Sequence, residues 1–293
     1  TAGITGLNDL LTGPGFGLGV SAGLGYVGNS LGLGMVGMAD IFANGPNTLG
    51  ILVDSNITLG FVGGLGVPIN LGGLVLHVGG SVRPMYRIRI PGLGIADAIT
   101  LMSADFSNVD IPLDVYHGVG LAIDAGAIAE LGSLSASLAI RDLGGTAFQY
   151  SISPLGEVLA ALSAGSMPQN GELVTDDVRY VIPMSAHLGV SFHPDLGGFS
   201  NLIDPIIHAQ YSLPFVEAEE APSFWSSVHL GAEITALRFI KARVGLNQGY
   251  VTAGAGIHLL FLDFNVAYFS RELGSFAGAQ QSQGVTAEVA LRF

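Results

Sequence analysis

The 293-residue chain is 49% hydrophobic and 11% charged, with 44 glycines, no cysteine and a formal net charge of −13. Soluble domains average about 25% charged residues, so a fully solvated surface is disfavoured. The negative balance excludes nucleic acid as a partner, because phosphate binding needs clustered Lys and Arg. The lack of cysteine excludes disulfides and thiolate metal sites.

A chain this apolar is expected in a membrane, yet no run of about 18 residues free of charge and glycine offers a spanning helix. The apolar stretch 71–82 is broken by Gly72, Gly73, Gly79 and Gly80. Each glycine costs a helix interior about 1 kcal/mol against Ala. In lipid every backbone N–H and C=O must be paired within the protein, which leaves a closed β-barrel once helices are disfavoured. The soluble alternatives, a large β-sandwich or a β-solenoid, fit poorly with so few charges. Thr1 opens no basic and apolar leader, so the expectation is an exported chain whose signal peptide has been cleaved.

Period-two alternation marks half-buried strands. In chain order it picks out thirteen segments: 16–26, 30–43, 50–65, 70–90, 114–130, 132–142, 178–194, 204–214, 224–236, 237–246, 250–261, 262–272 and 284–293. At 132–142, Ser133, Ser135, Ser137 and Arg141 alternate with Leu134, Ala136, Leu138 and Ile140. At 178–194, Ile182, Met184, Ala186, Leu188, Val190 and Phe192 oppose Ser185, His187 and Ser191. Later, Val228, Leu230, Ala232 and Ile234 oppose His229, Glu233 and Thr235, and Ile240, Ala242, Val244 and Leu246 oppose Lys241, Arg243 and Gly245. The final segment sets Val285, Ala287, Val289, Leu291 and Phe293 against Thr286, Glu288, Ala290 and Arg292. An apolar alternating strand closing on Phe293 resembles the C-terminal signature of outer-membrane barrels.

Single-chain bacterial barrels have even strand numbers. The expected fold is therefore an all-β transmembrane antiparallel barrel of about 14 strands, with 12 as the fallback. Residues 146–153 or the first dozen residues would supply the fourteenth strand. Connections at 131–133 and 246–250 are tight, whereas 91–112, 144–177 and 272–283 are long. Such barrels keep short turns on the periplasmic side and long loops outside. Segments 155–164 and 95–106 carry amphipathic spacing for short helices, read either as loop packing or as a lid or plug. No linker divides the chain, so residues 1–293 are expected to form one barrel domain, and no repeat of 20–50 residues recurs.

No catalytic set emerges. The seven histidines (His77, His117, His187, His193, His208, His229 and His258) form no HExxH or other short metal spacing. His187 and His193 share parity, but six strand residues span about 20 Å, too far for one metal. The spacing Gly-x-Ser-x-Gly occurs at 19–23, but with 44 glycines such matches arise by chance, so no enzyme, cofactor or metal is expected. The one charge constellation is basic. Arg83, Arg87 and Arg89 share strand parity with His77, while Lys241, Arg243 and Arg292 take inward parity on later strands. Charges facing lipid near the midplane cost about 2–4 kcal/mol, so these should point inward or lie at the rim. Two readings stay open: ion pairs with Asp124, Glu233, Asp263 and Glu288, or a clamp in which Arg forks grip an acidic head. Tyr26, Phe61, Tyr86, Tyr116, Phe192, Tyr211, Phe224, Trp225, Phe261 and Phe293 fall near strand ends, where girdle aromatics belong.

The stretch Ala-Ile-Arg-Asp-Leu-Gly-Gly-Thr-Ala-Phe-Gln-Tyr-Ser at 139–151 resembles a strand-and-loop segment of outer-membrane barrels related to FadL, the long-chain fatty acid transporter. The branch it resembles most contains the PorV-like proteins and their spirochaete relatives. Val-Gly-Leu-Asn-Gln-Gly-Tyr at 244–250, Thr-Ala-Gly-Ala-Gly at 252–256 and Ala-Tyr-Phe-Ser-Arg-Glu-Leu-Gly at 267–274 are similar to consecutive hairpins of that group. The resemblance covers 115–293 well and 1–114 weakly. It implies a fourteen-stranded barrel whose transporter members carry hydrophobic molecules past an N-terminal hatch containing Asn-Pro-Ala. Asn44-Gly45-Pro46-Asn47 stands nearest to that segment and reads equally well as a turn. The expected function is passive uptake of hydrophobic or amphipathic molecules such as long-chain fatty acids across a bacterial outer membrane. The alternative is a scaffold barrel that binds other surface proteins through its outer loops without transport. Outer-membrane lipids are expected partners in either case.

Overall fold

The structure, a computed structural model, describes residues 15–45, 50–94, 97, 111, 113–168, 172–173, 180–216, 222–272 and 281–293. The strands are β1 (Phe16–Gly28), β2 (Leu31–Asn44), β3 (Leu52–Leu71), β4 (Leu74–Leu93), β5 (Asp114–Leu131), β6 (Leu134–Arg141), β7 (Thr146–Pro154) and β8 (Glu172–Leu173). They continue with β9 (Tyr180–Ile182), β10 (Ser185–Phe192), β11 (Ile203–Pro214), β12 (Val228–Ala236), β13 (Ile240–Asn247), β14 (Tyr250–Leu259), β15 (Leu262–Glu272) and β16 (Gln281–Leu291). Helix α1 (Leu155–Ser163) follows β7, a 3-10 turn covers Gly197–Asn201, and α2 (Phe224–Ser227) precedes β12. Among the described residues no helix is long and apolar enough to cross a membrane.

All sixteen strands belong to one sheet, ordered β1-β2-β3-β4-β5-β6-β10-β11-β12-β13-β14-β15-β16, with β7, β8 and β9 off this path. Sequence reasoning expects fourteen. Its thirteen segments map onto the path, and its candidate at 146–153 is β7, which does not take a place in the order. Instead β5 changes partner along its length. It pairs with β7 over 114–119 and with β6 over 125–131. The switch falls where Asp142, Gly144 and Gly145 take φ of 52°, 77° and 80°, a left-handed stretch that extended pairing cannot follow. Segment 95–106 lies outside the described residues apart from Asp97, and so do 1–14 and 174–179.

The connections along the path alternate in length only as far as β10. Two-residue turns at positive φ follow β1 (Asn29 50°, Ser30 68°) and β3 (Gly72 60°, Gly73 104°), the backbone that two-residue hairpins require, and a three-residue turn with Leu237 and Arg238 at positive φ follows β12. Longer connections follow β2, β4, β10, β11 and β15, so the alternation breaks after β10 and again at the short turn Gln248–Gly249 after β13.

Two compact units divide the chain: residues 1–65, 81–123 and 145–182 in the first, and 66–80, 124–144 and 183–293 in the second. In the first, one face of the sheet is apolar. Leu18, Val20 and Leu24 of β1 share it with Leu33, Met35 and Ile41 of β2 and with Leu59 and Phe61 of β3, and all of these are exposed. That face is covered only over the end of β4 and the start of β5, while Val82 of β4 and Val119, Leu121 and Ile123 of β5 stay exposed. Tyr86, Ile88, Ile90 and Val115 form a buried cluster with Ile111, Leu155 and Val158. Helix α1 supplies the cover through Leu155, Val158, Leu159 and Leu162, the i, i+3, i+4, i+7 spacing of an amphipathic helix. Its start is pinned by Leu155 N–H donating to the Leu113 carbonyl at 2.7 Å and Gly156 N–H to the Ile111 carbonyl at 3.3 Å.

In the second unit, alternation continues from β6 through β10–β16. Leu134, Leu138, Leu188, Val190, Leu230, Val244, Val251, Val266 and Val289 lie on one face and are exposed. Serine, histidine, glutamine and charged residues occupy the other.

Candidate functional site on the polar faces

In the second unit the polar face is cross-braced from strand to strand. Glu233 on β12 receives Arg243 Nε at 2.6 Å and Lys241 Nζ at 3.3 Å, both from β13. A second nitrogen of Arg243 reaches Asn265 Oδ1 on β15 at 2.9 Å, and Asn265 Nδ2 reaches Glu288 on β16 at 3.3 Å. Arg292 Nε pairs with Asp263 at 2.6 Å, and His258 contacts the same carboxylate. A second layer is neutral. His187 lies between Ser185 Oγ and Ser212 Oγ, each at 3.0 Å, with Gln210 at 3.3 Å. His229 meets Asn247 at 2.6 Å, and His208 meets Ser191 at 3.0 Å. The register sets these contacts, since pairs such as His187↔Ser212, His229↔Asn247 and Glu233↔Arg243 stand directly opposite.

In the first unit the polar face is built differently. Arg87 of β4 lies over the Tyr180 ring at 4.3 Å and the Phe148 ring at 5.8 Å. One of its terminal nitrogens donates to Asn56 Oδ1 at 3.3 Å. Phe148 stacks on Tyr150 with centroids 6.3 Å apart, and Tyr150 meets Tyr116 edge-on at 6.3 Å. Phe148 and Tyr150 are 1% and 3% exposed. Arg89 lies two residues along β4 from Arg87 and shares its face. Among the described residues, three side-chain atoms are buried without a hydrogen-bond partner: Arg87 Nε and Tyr150 Oη on this face, and Tyr86 Oη under α1.

Sequence reasoning groups Arg83, Arg87, Arg89, Lys241, Arg243 and Arg292 as one basic cluster. The structure distributes them over the two units. Lys241, Arg243 and Arg292 belong to the second unit and neutralise carboxylates. Arg83, Arg87 and Arg89 belong to the first, where Arg83 already has a partner. Of the expected acidic partners, Glu233 and Asp263 hold ion pairs, and Glu288 takes a hydrogen bond from Asn265. His77 pairs instead with Glu130 of β5 at 3.5 Å. Phe293 lies beyond the end of β16 and is fully exposed, at 107%. Tyr86, placed among the girdle aromatics by sequence, is buried under α1 and faces the His117 ring at 6.0 Å. His117 in turn meets Ser153 Oγ at 3.0 Å. Tyr211, Phe224 and Trp225 do gather, with centroids 5.7 and 5.4 Å apart.

The residues sequence reasoning missed are Phe148, Tyr150 and Tyr180. The period-two spacing of Phe148 and Tyr150 was the available signal. Among the described residues no group of three or more His, Asp or Glu is placed to hold a metal. No protein-family model matches the chain, and no curated protein matches it significantly.

Proposed function

We propose that the chain is a membrane-spanning β-barrel of a bacterial outer membrane that lets hydrophobic or amphipathic acids pass by diffusion. The observation that carries this reading is the bare apolar face. Exposed Leu, Val, Ile, Met and Phe line whole strands, whereas soluble monomers rarely expose contiguous apolar patches above a few hundred Å². In lipid that face is the solvated one, and the edges of β1 and β16 would close on each other, since an open edge is not tolerated there. The cover that α1 gives to Tyr86, Ile88 and Ile90 supports the same view. It falls beside the long connections after β4 and β7, where strands that rise out of the bilayer would otherwise expose apolar side chains to water. The alternation of short and long connections from β1 to β10 fits periplasmic turns and outer loops, and the resemblance to FadL and PorV-like barrels points the same way.

One observation favours a second reading. The braced polar face of the second unit suits a closed interior, and the barrel would then act as a scaffold that binds a protein through its outer loops. Uptake separates the two. The purified chain reconstituted in liposomes should admit a fluorescent long-chain fatty acid faster than empty liposomes; equal rates would sink the transport reading and leave the scaffold.

A further inference from the structure

We infer that Arg87, Arg89 and Tyr150 form a binding site for an organic carboxylate on the polar face of the first unit. The inference deepens the transport reading by assigning the head-group site, but binding itself does not depend on transport.

The argument begins with unmet donors. A buried donor without an acceptor is destabilising, and two occur on one face, Arg87 Nε and Tyr150 Oη. They belong to one packed cluster, because Phe148 lies under the Arg87 guanidinium and also stacks on Tyr150. Charge is unmet as well. Arg87 spends its hydrogen bond on the neutral Asn56, and among the described residues no carboxylate forms an ion pair with Arg87 or Arg89. The three later cations contrast with this, each being paired.

The shape of the cluster selects the anion. The Tyr180 and Phe148 rings occupy the face of the guanidinium, so a ligand must approach its edge. An Arg edge matches the planar, two-oxygen carboxylate. One oxygen would accept from Arg87 Nε–H and the other from the Tyr150 hydroxyl, with Arg89 adding charge. Aromatic walls favour a monoanion carrying an apolar tail over a strongly hydrated phosphate. A fatty acid and an aromatic acid share this chemistry.

The test is titration of the full chain in uncharged detergent with decanoate, benzoate, decanol and inorganic phosphate, followed by calorimetry. Decanoate or benzoate should bind at least tenfold more tightly than decanol or phosphate; the better of the two acids identifies the tail. Tyr150→Phe, which removes only the hydroxyl, should weaken that acid about five- to tenfold, the equivalent of one hydrogen bond. Arg87→Lys should weaken it at least as much despite keeping the charge. Equal binding of decanol and decanoate, phosphate binding as tight as either acid, or an unchanged affinity in Tyr150→Phe would overturn the site. Absent liposome uptake with carboxylate binding intact would count against transport alone.

Discussion

Gly120 leaves the space that Phe148 fills, and Gly118 lies against the backbone of Gln149. A Cβ on Gly118 would collide with the Gln149 carbonyl oxygen, and one on Gly120 would stand 2.8 Å from the Phe148 ring. The Gly120 contact is with a side chain that can shift, whereas the Gly118 contact is with backbone. Gly118→Ala should therefore push β5 and β7 apart and cost about 1–3 kcal/mol, the usual range for overpacking. Urea unfolding in detergent measures it, and an unchanged midpoint would show that the pairing of β5 with β7 has room to spare. This constraint was not legible in the sequence, because one glycine among 44 carries no mark of what lies opposite it. Glu233, Lys241 and Arg243 were legible as a group, since parity alone puts them on one face of neighbouring strands. Ser185 shares its strand face with His187 and was legible too, but Ser212 was not, because it reaches His187 only through the register of β10 and β11.

At the scale of elements, β1 and α1 make opposite demands on their surroundings. Val20 of β1 is 63% exposed and Val158 of α1 is 0% exposed. If the bare face of β1 meets lipid, Val20→Arg should lower folding into vesicles by about 2–4 kcal/mol near the midplane while leaving α1 protected from protease. Val158→Asp should do the reverse, releasing α1 to protease while vesicle insertion proceeds. Normal vesicle insertion of Val20→Arg would place that face outside the hydrocarbon. The amphipathic spacing of α1 was visible in the sequence, but its partner surface was not. Tyr86, Ile88 and Ile90 alternate as a lipid-facing strand would, and only the return of 155–163 over them distinguishes cover from exposure. The break between β6 and β7 was hidden for a related reason. Gly144 and Gly145 fall where the sequence reads as the start of one long connection, while the partner switch along β5 is a property of three segments together.

At the scale of the molecule, composition and alternation made the antiparallel sheet and its two chemically distinct faces legible, because both follow from side-chain period alone. The strand number was less so. It depends on whether a segment such as 146–154 joins the order or pairs beside it, which local pattern does not encode. The proposal that the sheet closes in a membrane is tested most directly by electrophoresis of the detergent-folded protein with and without boiling. A closed barrel stays folded and compact in unboiled sample, so the account expects faster migration before boiling than after, together with a requirement for detergent to stay in solution. Identical migration of boiled and unboiled protein, from a chain that remains dispersed without detergent, would contradict it.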